Sequence, residues 1–158
     1  MDSNVAILIA GGGIGGLACA RALALKGYRS IVLEQAAEFG EIGAGIQLGP
    51  NVDRVFDRLN VRPAMRDIAF YPQNIIMMDS LTRDEVTRVP LGQKFEDHFG
   101  NPYGVIHRGD LHKVLFEACQ GMAEIELHAG TTVTAHDDHG TGVTVHTAGG
   151  KSFTGAAL

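Results

Sequence analysis

Only two cysteines occur in the 158 residues, Cys19 and Cys119. Two so widely separated thiols exclude a disulfide framework and a thiolate metal cluster. Each lies in a helical apolar pattern, so both are expected to be buried thiols of a cytoplasmic protein. Basic charge is also scarce and dispersed: 13 Lys and Arg stand against 18 Asp and Glu, a net charge of −5, which leaves no track for nucleic-acid phosphates. No run is long or apolar enough to span a bilayer, and no membrane partner is expected. The apolar stretch near the N-terminus follows Asp2 rather than a basic segment and is cut by the five glycines among Gly11 to Gly16, which is not the pattern of a secretory signal. Internal repeats and low-complexity segments are absent. Seven histidines do not form a ligand set backed by cysteines or ordered carboxylates; they are expected on the surface or in loops, and no metal is expected. The length suits one domain with a real core and leaves no room for a complete second one.

What is present in abundance is glycine, and its placement is informative. Val5-Ala-Ile-Leu-Ile-Ala10 is an uninterrupted apolar run, as in a parallel strand buried on both faces. Gly11-Gly-Gly-Ile-Gly-Gly16 follows, then a stretch of good helix formers ending at Lys26 and Gly27. A second strand, Ser30-Ile-Val-Leu33, ends at an acid, Glu34. Strand, glycine turn, helix, strand and terminal acid is the order that a dinucleotide site needs. Gly11 allows the tight turn, Gly13 lets the backbone approach a pyrophosphate, and Gly16 lets the helix pack against the sheet. Ile14 and Gly15 open the helix whose free N–H groups face the phosphates. Glu34 can accept both hydroxyls of an adenosine ribose and would repel a 2′-phosphate, so the expected ligand is the ADP half of FAD or NAD. The alternative for the turn is a structural Gly-rich connection without a ligand.

The remainder predicts an alternating α/β chain with additions. Residues 36–49 read as an irregular, glycine-rich loop of the kind that carries function. Pro50 and Asn51 open a helix with Val52, Val55, Phe56 and Leu59 in one apolar stripe, and Pro63 to Ile68 forms a short helix. Residues 74–79 and 85–90 form a hairpin inserted into the alternating order; about residues 71–99 are expected as an excursion into a second sheet. Residues 94–103 read as a polar turn. Asp110 is expected to cap a helix carrying Leu111, Val114, Leu115 and Ala118. From Ile125 the period becomes two, and the strands around Ile125, Val133 and Val143 are expected to form an appended β-meander.

Three segments together resemble the flavin-dependent aromatic hydroxylases of the para-hydroxybenzoate hydroxylase fold: Gly11 to Gly16 with Glu34; Glu38-Phe-Gly-Glu-Ile-Gly-Ala-Gly-Ile-Gln-Leu-Gly-Pro50; and His107-Arg-Gly-Asp-Leu-His112. Within that family the chain is most similar to 3-hydroxybenzoate 6-hydroxylases and salicylate hydroxylases. The resemblance implies a Rossmann-like FAD/NAD(P)-binding fold, of which residues 1–158 are the N-terminal part, with FAD as cofactor and NADH or NADPH as electron donor. It implies a phenol of the hydroxybenzoate class as substrate, hydroxylated through the flavin C4a-hydroperoxide, and is compatible with a homodimer. Arg108 is then expected at the flavin phosphate and ribityl region. Ala44, Gly45, Ile46 and Gln47 would approach the isoalloxazine with backbone atoms, and Val133 would meet adenine through its main chain. Gln35 stands where many relatives carry Arg, removing a cation from the adenosine. The residue that deprotonates the phenol lies, by resemblance, beyond residue 158, so no catalytic residue is named and this chain alone is expected to be inactive. Two other readings compete. An NAD-dependent dehydrogenase domain would use the glycine fingerprint equally well, although the inserted hairpin and the Arg108 segment speak against it; a truncated nucleotide-binding module would not be an enzyme at all.

Overall fold

The computed structural model describes residues 5–40 and 43–158. Glu41 and Ile42, inside the second family-like segment, lie outside the described residues. In chain order the elements are β1 (Ile7–Ala10), α1 (Ile14–Ala24), β2 (Ser30–Leu33), β3 (Gly45–Leu48), α2 (Pro50–Arg58), α3 (Arg62–Ile68), β4 (Asn74–Met78), β5 (Glu85–Pro90), α4 (Gln93–Phe99), β6 (Gly104–His107), α5 (Arg108–Gln120), β7 (Ile125–His128), β8 (Val133–Asp138), β9 (Val143–Thr147) and β10 (Ser152–Gly155). The chain divides into two compact units, Met1–Ile42 with Gly109–Leu158, and Gly43–Arg108.

The first unit is built on a parallel sheet in the order β1-β2-β7. Leu8 pairs with Ile31, and Val32 with Leu127. β7 therefore belongs to the nucleotide core and not to the meander, which corrects the sequence expectation: a four-residue alternating strand carries no mark of its partner, and β2 lies far away in sequence. The antiparallel meander consists of β8, β9 and β10, and its turns use Gly140 and Gly150 in left-handed conformations, φ 74° and 75°. Leu8 and Leu33 pack with Val143 and Val145, with Val133 and Phe153 against them. The end of the meander returns to the core sheet, where Leu8 N–H donates to Ala157 O at 2.9 Å.

Helix α1 buries Leu17, Ala20 and Ala24, and α5 buries Leu111, His112, Leu115 and Cys119. Full burial of leucines such as Leu17 and Leu115 stabilises the unit by roughly 1.5–3 kcal/mol each. Polar contacts fix how α5 lies along α1: Cys119 Sγ donates to Leu17 O at 3.3 Å and Arg21 Nη1 to Ala118 O at 2.8 Å. Three expectations fail here. Cys19 is exposed, because it points away from the face that carries Leu17, Ala20 and Ala24. His112 is buried at 2% exposure, so not all histidines are surface or loop residues. Asp110 does not cap α5; the helix starts two residues earlier, directly off β6, and Asp110 lies in its first turn, where a carboxylate complements the helix dipole.

In the second unit β3 pairs antiparallel with β6, Ile46 opposite Ile106. A strand thus stands within what the sequence presents as a loop, because its partner lies about sixty positions onward and leaves no local signal. Helices α2 and α3 pack through Phe56, Leu59, Val61 and Met65, all buried, while Val55 is exposed. The inward position one turn before Phe56 is taken by Asp53, which accepts from Arg66 Nη2 at 2.8 Å and lies 3.5 Å from Arg62 Nε. That ion pair turns the α2 stripe away from Val55. The expected turn at 94–103 is largely helix α4, supported by a Gln93–Asp97 hydrogen bond of 2.8 Å and the tilted ring pair Phe95 and Phe99, and closed by Gly100 at φ 78°. The predicted hairpin is present as β4 and β5, joined by a turn in which Asp79 Oδ1 accepts from Leu81 and Thr82 N–H groups. Those N–H donors also hold the Asp79 carboxyl below the usual carboxylate range. Among the described residues no helix is long and apolar enough to cross a membrane.

Candidate nucleotide site

The first unit assembles most of the expected residues around one turn. β1 ends at Ala10, and Gly11 takes φ 108°, a backbone closed to residues with a Cβ, while its N–H donates to Leu33 O at 2.8 Å. Gly13 is the N-cap of α1, with no side-chain hydrogen bond capping the helix. The first N–H groups of α1, from Ile14 to Gly16, are therefore left for another acceptor. A Cβ built on Gly13 or Gly15 meets nothing within 4 Å, whereas one on Gly16 lies 1.9 Å from Gly11 O. Gly13 and Gly15 present an open face, and Gly16 is the point where helix and turn touch. Gly11 makes the tight turn and Gly16 the close approach expected of them.

Glu34 stands at the end of β2. Its Oε2 accepts from Gly12 N–H at 2.6 Å and its Oε1 from Ala36 N–H at 2.8 Å. The acid thus ties the strand end to the glycine turn, a connection the sequence did not reveal. Each oxygen has a second lone pair free for a ribose hydroxyl. Beside it lies a cleft of about 250 Å³ lined by Ala10, Gly11, Leu33, Glu34, Gln35, Thr131 and Val133. Gly11, Glu34, Gln35 and Val133 are hence gathered on one cleft, joined by Thr131, whose N–H donates to Glu34 O at 2.7 Å. The open glycine face, the uncapped helix end and the acid-lined cleft fit an adenosine diphosphate moiety.

His112 was also missed. Its Nε2 lies 2.8 Å from Gly12 O. Its spacing with Leu111, Leu115 and Cys119 matches the buried face of α5, and that periodicity is the signal that could have separated it from the other histidines.

Within the second unit, Ala44, Gly45, Ile46 and Gln47 run into and along β3, and Gly45 stands opposite His107. Arg108 N–H donates to Ala44 O at 3.2 Å, and a Cβ on Gly43 would lie 2.8 Å from Arg108 Cβ. The second and third family-like segments therefore meet as one antiparallel pair ending at Arg108, and glycine at 43 is required by that approach.

Comparison with known proteins agrees with this geometry. The FAD binding domain family matches residues 4–154. The chain is 44% identical over 156 residues to 3-hydroxybenzoate 6-hydroxylase of Polaromonas naphthalenivorans (strain CJ2), covering 99% of this chain and 39% of that protein. It is likewise 44% identical over 152 residues to 3-hydroxybenzoate 6-hydroxylase 1 of Aquipseudomonas alcaligenes, covering 96% of this chain and 39% of that protein. The chain thus spans about two-fifths of the length of these curated relatives. Among solved structures, p-nitrophenol 4-monooxygenase PnpA from Pseudomonas putida DLL-E4 superposes with a TM-score of 0.88 at 19% identity, over 98% of this chain and 40% of that one. Klebsiella pneumoniae HpxO, complexed with FAD and uric acid, gives 0.82 at 24% identity, over 98% and 38%; both likenesses concern the fold.

Proposed function

The chain belongs to the FAD binding domain family, and from that premise we propose that it is the FAD-holding part of a cytoplasmic, NAD(P)H-dependent aromatic monooxygenase acting on a phenol of the hydroxybenzoate class. The observation that carries the proposal is the Glu34 cleft beside an open glycine face and an uncapped helix, read together with the 44% identity to 3-hydroxybenzoate 6-hydroxylases. In this reading Glu34 takes the ribose hydroxyls, and Val133 and Gln35 border the adenine side. Gly13, Ile14, Gly15 and Gly16 present N–H groups to the pyrophosphate, at the positive end of α1. Arg108 serves the phosphate and ribityl region with two parallel charge-assisted bonds, and Ala44 to Gln47 offer main-chain atoms to the ring system. Bound FAD supplies hydride acceptance and oxygen activation; the protein's own share is to bind, orient and enclose it.

Titration of the chain with FAD, followed by flavin fluorescence, tests the first half of the proposal. Saturable binding that NAD does not displace supports it, and tight NAD binding without FAD binding overturns it in favour of a dehydrogenase domain. The substrate is tested in a protein carrying this chain at the length of its relatives. There, NADH oxidation stimulated by 3-hydroxybenzoate, with a dihydroxybenzoate as product, is the expected result.

A further inference from the structure

We propose that His112 is a positioning residue for the pyrophosphate: by clamping the Gly12 carbonyl it holds the Gly12–Gly13 peptide with its N–H turned toward the ligand. The inference rests on the FAD reading above. A carbonyl oxygen only accepts, so Nε2 of His112 carries the hydrogen and donates across the 2.8 Å separation. In a planar trans peptide the C=O and N–H point to opposite sides. With the Gly12 carbonyl turned inward to a ring that is 2% exposed, the Gly13 N–H must point the other way. The peptide on the other side of Gly12 is held as well, since Gly12 N–H donates to Glu34 at 2.6 Å. Gly12 is pinned from both sides by side chains remote in sequence.

Such a clamp has work to do. The peptide between two glycines meets little steric resistance to rotating about its flanking bonds, and the rotated form would aim a carbonyl oxygen at a phosphate. His112 itself is held from behind: its ring stacks on Phe116 with centroids 6.4 Å apart, and Phe116 stacks on Phe39 at 5.0 Å. Phe39 then abuts the turn, since a Cβ on Gly12 would lie 2.3 Å from its Cε1. One packed column thus runs from α5 to the loop, ending in the hydrogen bond. A histidine that merely satisfied itself in the core would stabilise the fold without favouring one ligand over another; a clamp on this peptide acts where phosphate binds.

The test compares His112→Leu, which keeps apolar bulk and loses the donor, with His112→Gln, whose amide nitrogen can reach the same carbonyl. Affinities for ADP and for adenosine are measured on the chain by NMR titration, and FAD by fluorescence. For His112→Leu, ADP and FAD binding should weaken about tenfold, as expected when a buried carbonyl loses its donor and the competent peptide orientation is depopulated, while adenosine binding stays near wild type. His112→Gln should recover ADP binding to within about threefold of wild type on the same grounds. Equal losses for adenosine and ADP, unchanged ADP binding in His112→Leu, or no recovery in His112→Gln would overturn the clamp. Failure of the wild-type chain to bind ADP or FAD would instead refute the functional reading on which it rests.

Discussion

Gly13 and Gly16 stand one helical turn apart, and adding a single methyl to each should do opposite things. At Gly16 the new Cβ would lie 1.9 Å from Gly11 O, 3.1 Å from Gly11 C and 3.3 Å from Ile9 Cγ2. A carbon and a carbonyl oxygen rest at about 3.3 Å or more, so α1 and the turn must separate by roughly 1.4 Å, and the obstacle is backbone that cannot swing aside. Overpacking of this kind costs about 1–3 kcal/mol and occasionally more; with main chain on both sides, we place Gly16→Ala at roughly 3 kcal/mol by that measure. For a chain of this size each kcal/mol lowers the melting temperature by roughly 2–4 °C, so a fall of roughly 6–12 °C is expected without ligand. At Gly13 the methyl enters open space, on an extended backbone of φ −72°, ψ −176° that any residue adopts. The stiffer unfolded chain offsets the poorer N-cap, each of these being about 1 kcal/mol or less. Gly13→Ala should therefore melt close to wild type without ligand, yet lose the gain that FAD provides, which is about 2.7 kcal/mol at a hundredfold excess over Kd. Thermal melts of all three proteins, with and without FAD, decide the matter. Gly16→Ala melting with wild type, or Gly13→Ala stabilised by FAD as fully as wild type, would refute the reasoning.

Glu34→Ala should weaken FAD binding by roughly 1–3 kcal/mol through loss of a charged acceptor. Glu34→Gln should fall between, since its amide oxygen can still accept from Gly12 N–H, and fluorescence titration ranks the three. The thiols should differ in reactivity: a thiol reagent should label exposed Cys19 in the native protein and Cys119 only on unfolding, with stoichiometry read by mass spectrometry. Burial pushes the Cys119 thiol from 9.0 up to about 11. Its contribution to stability is present in full below pH 9 and is lost as pH rises through about 11. Cys119→Ala should accordingly show a shallower alkaline decline in urea midpoints than wild type. Gly155→Ala would place a Cβ 2.6 Å from Ala6 O and 2.7 Å from Leu8 Cγ, so it should cost about 1–3 kcal/mol of stability, again visible in the urea midpoint.

What could be read from the sequence is what local physics determines. The β1-turn-α1-β2 order, Pro50 opening α2 and the 74–90 hairpin each rest on residue types whose backbone preferences act over a few positions. What escaped depends on partners far along the chain. β3 looks like loop until it meets β6, and β7 looks like meander until it meets β2. Helix α4 hides because its aromatic pair and one side-chain bond, rather than an apolar stripe, support seven residues. The same limit applies within the site. The glycines and Glu34 stand out in the sequence because they fall at fixed spacing between two apolar strands, whereas the His112 bond spans a hundred positions.

That long-range bond shows why the turn is ready before a nucleotide arrives. Binding is weakened by whatever must be ordered on association. Here the Gly12 N–H and C=O are already held, and the Glu34 carboxylate is already oriented by two backbone donors with lone pairs to spare. The same orientation bears on which nucleotide fits. Glu34 lines the cleft and Gln35 beside it is an uncharged amide, so the side chain next to the acid on this strand end could not offset a 2′-phosphate. An uncompensated pair of like charges in a partly enclosed cleft is repulsive, and this repulsion, together with the two ribose hydroxyls that the acid can accept, favours the ADP half of FAD over a 2′-phosphorylated nucleotide at this site.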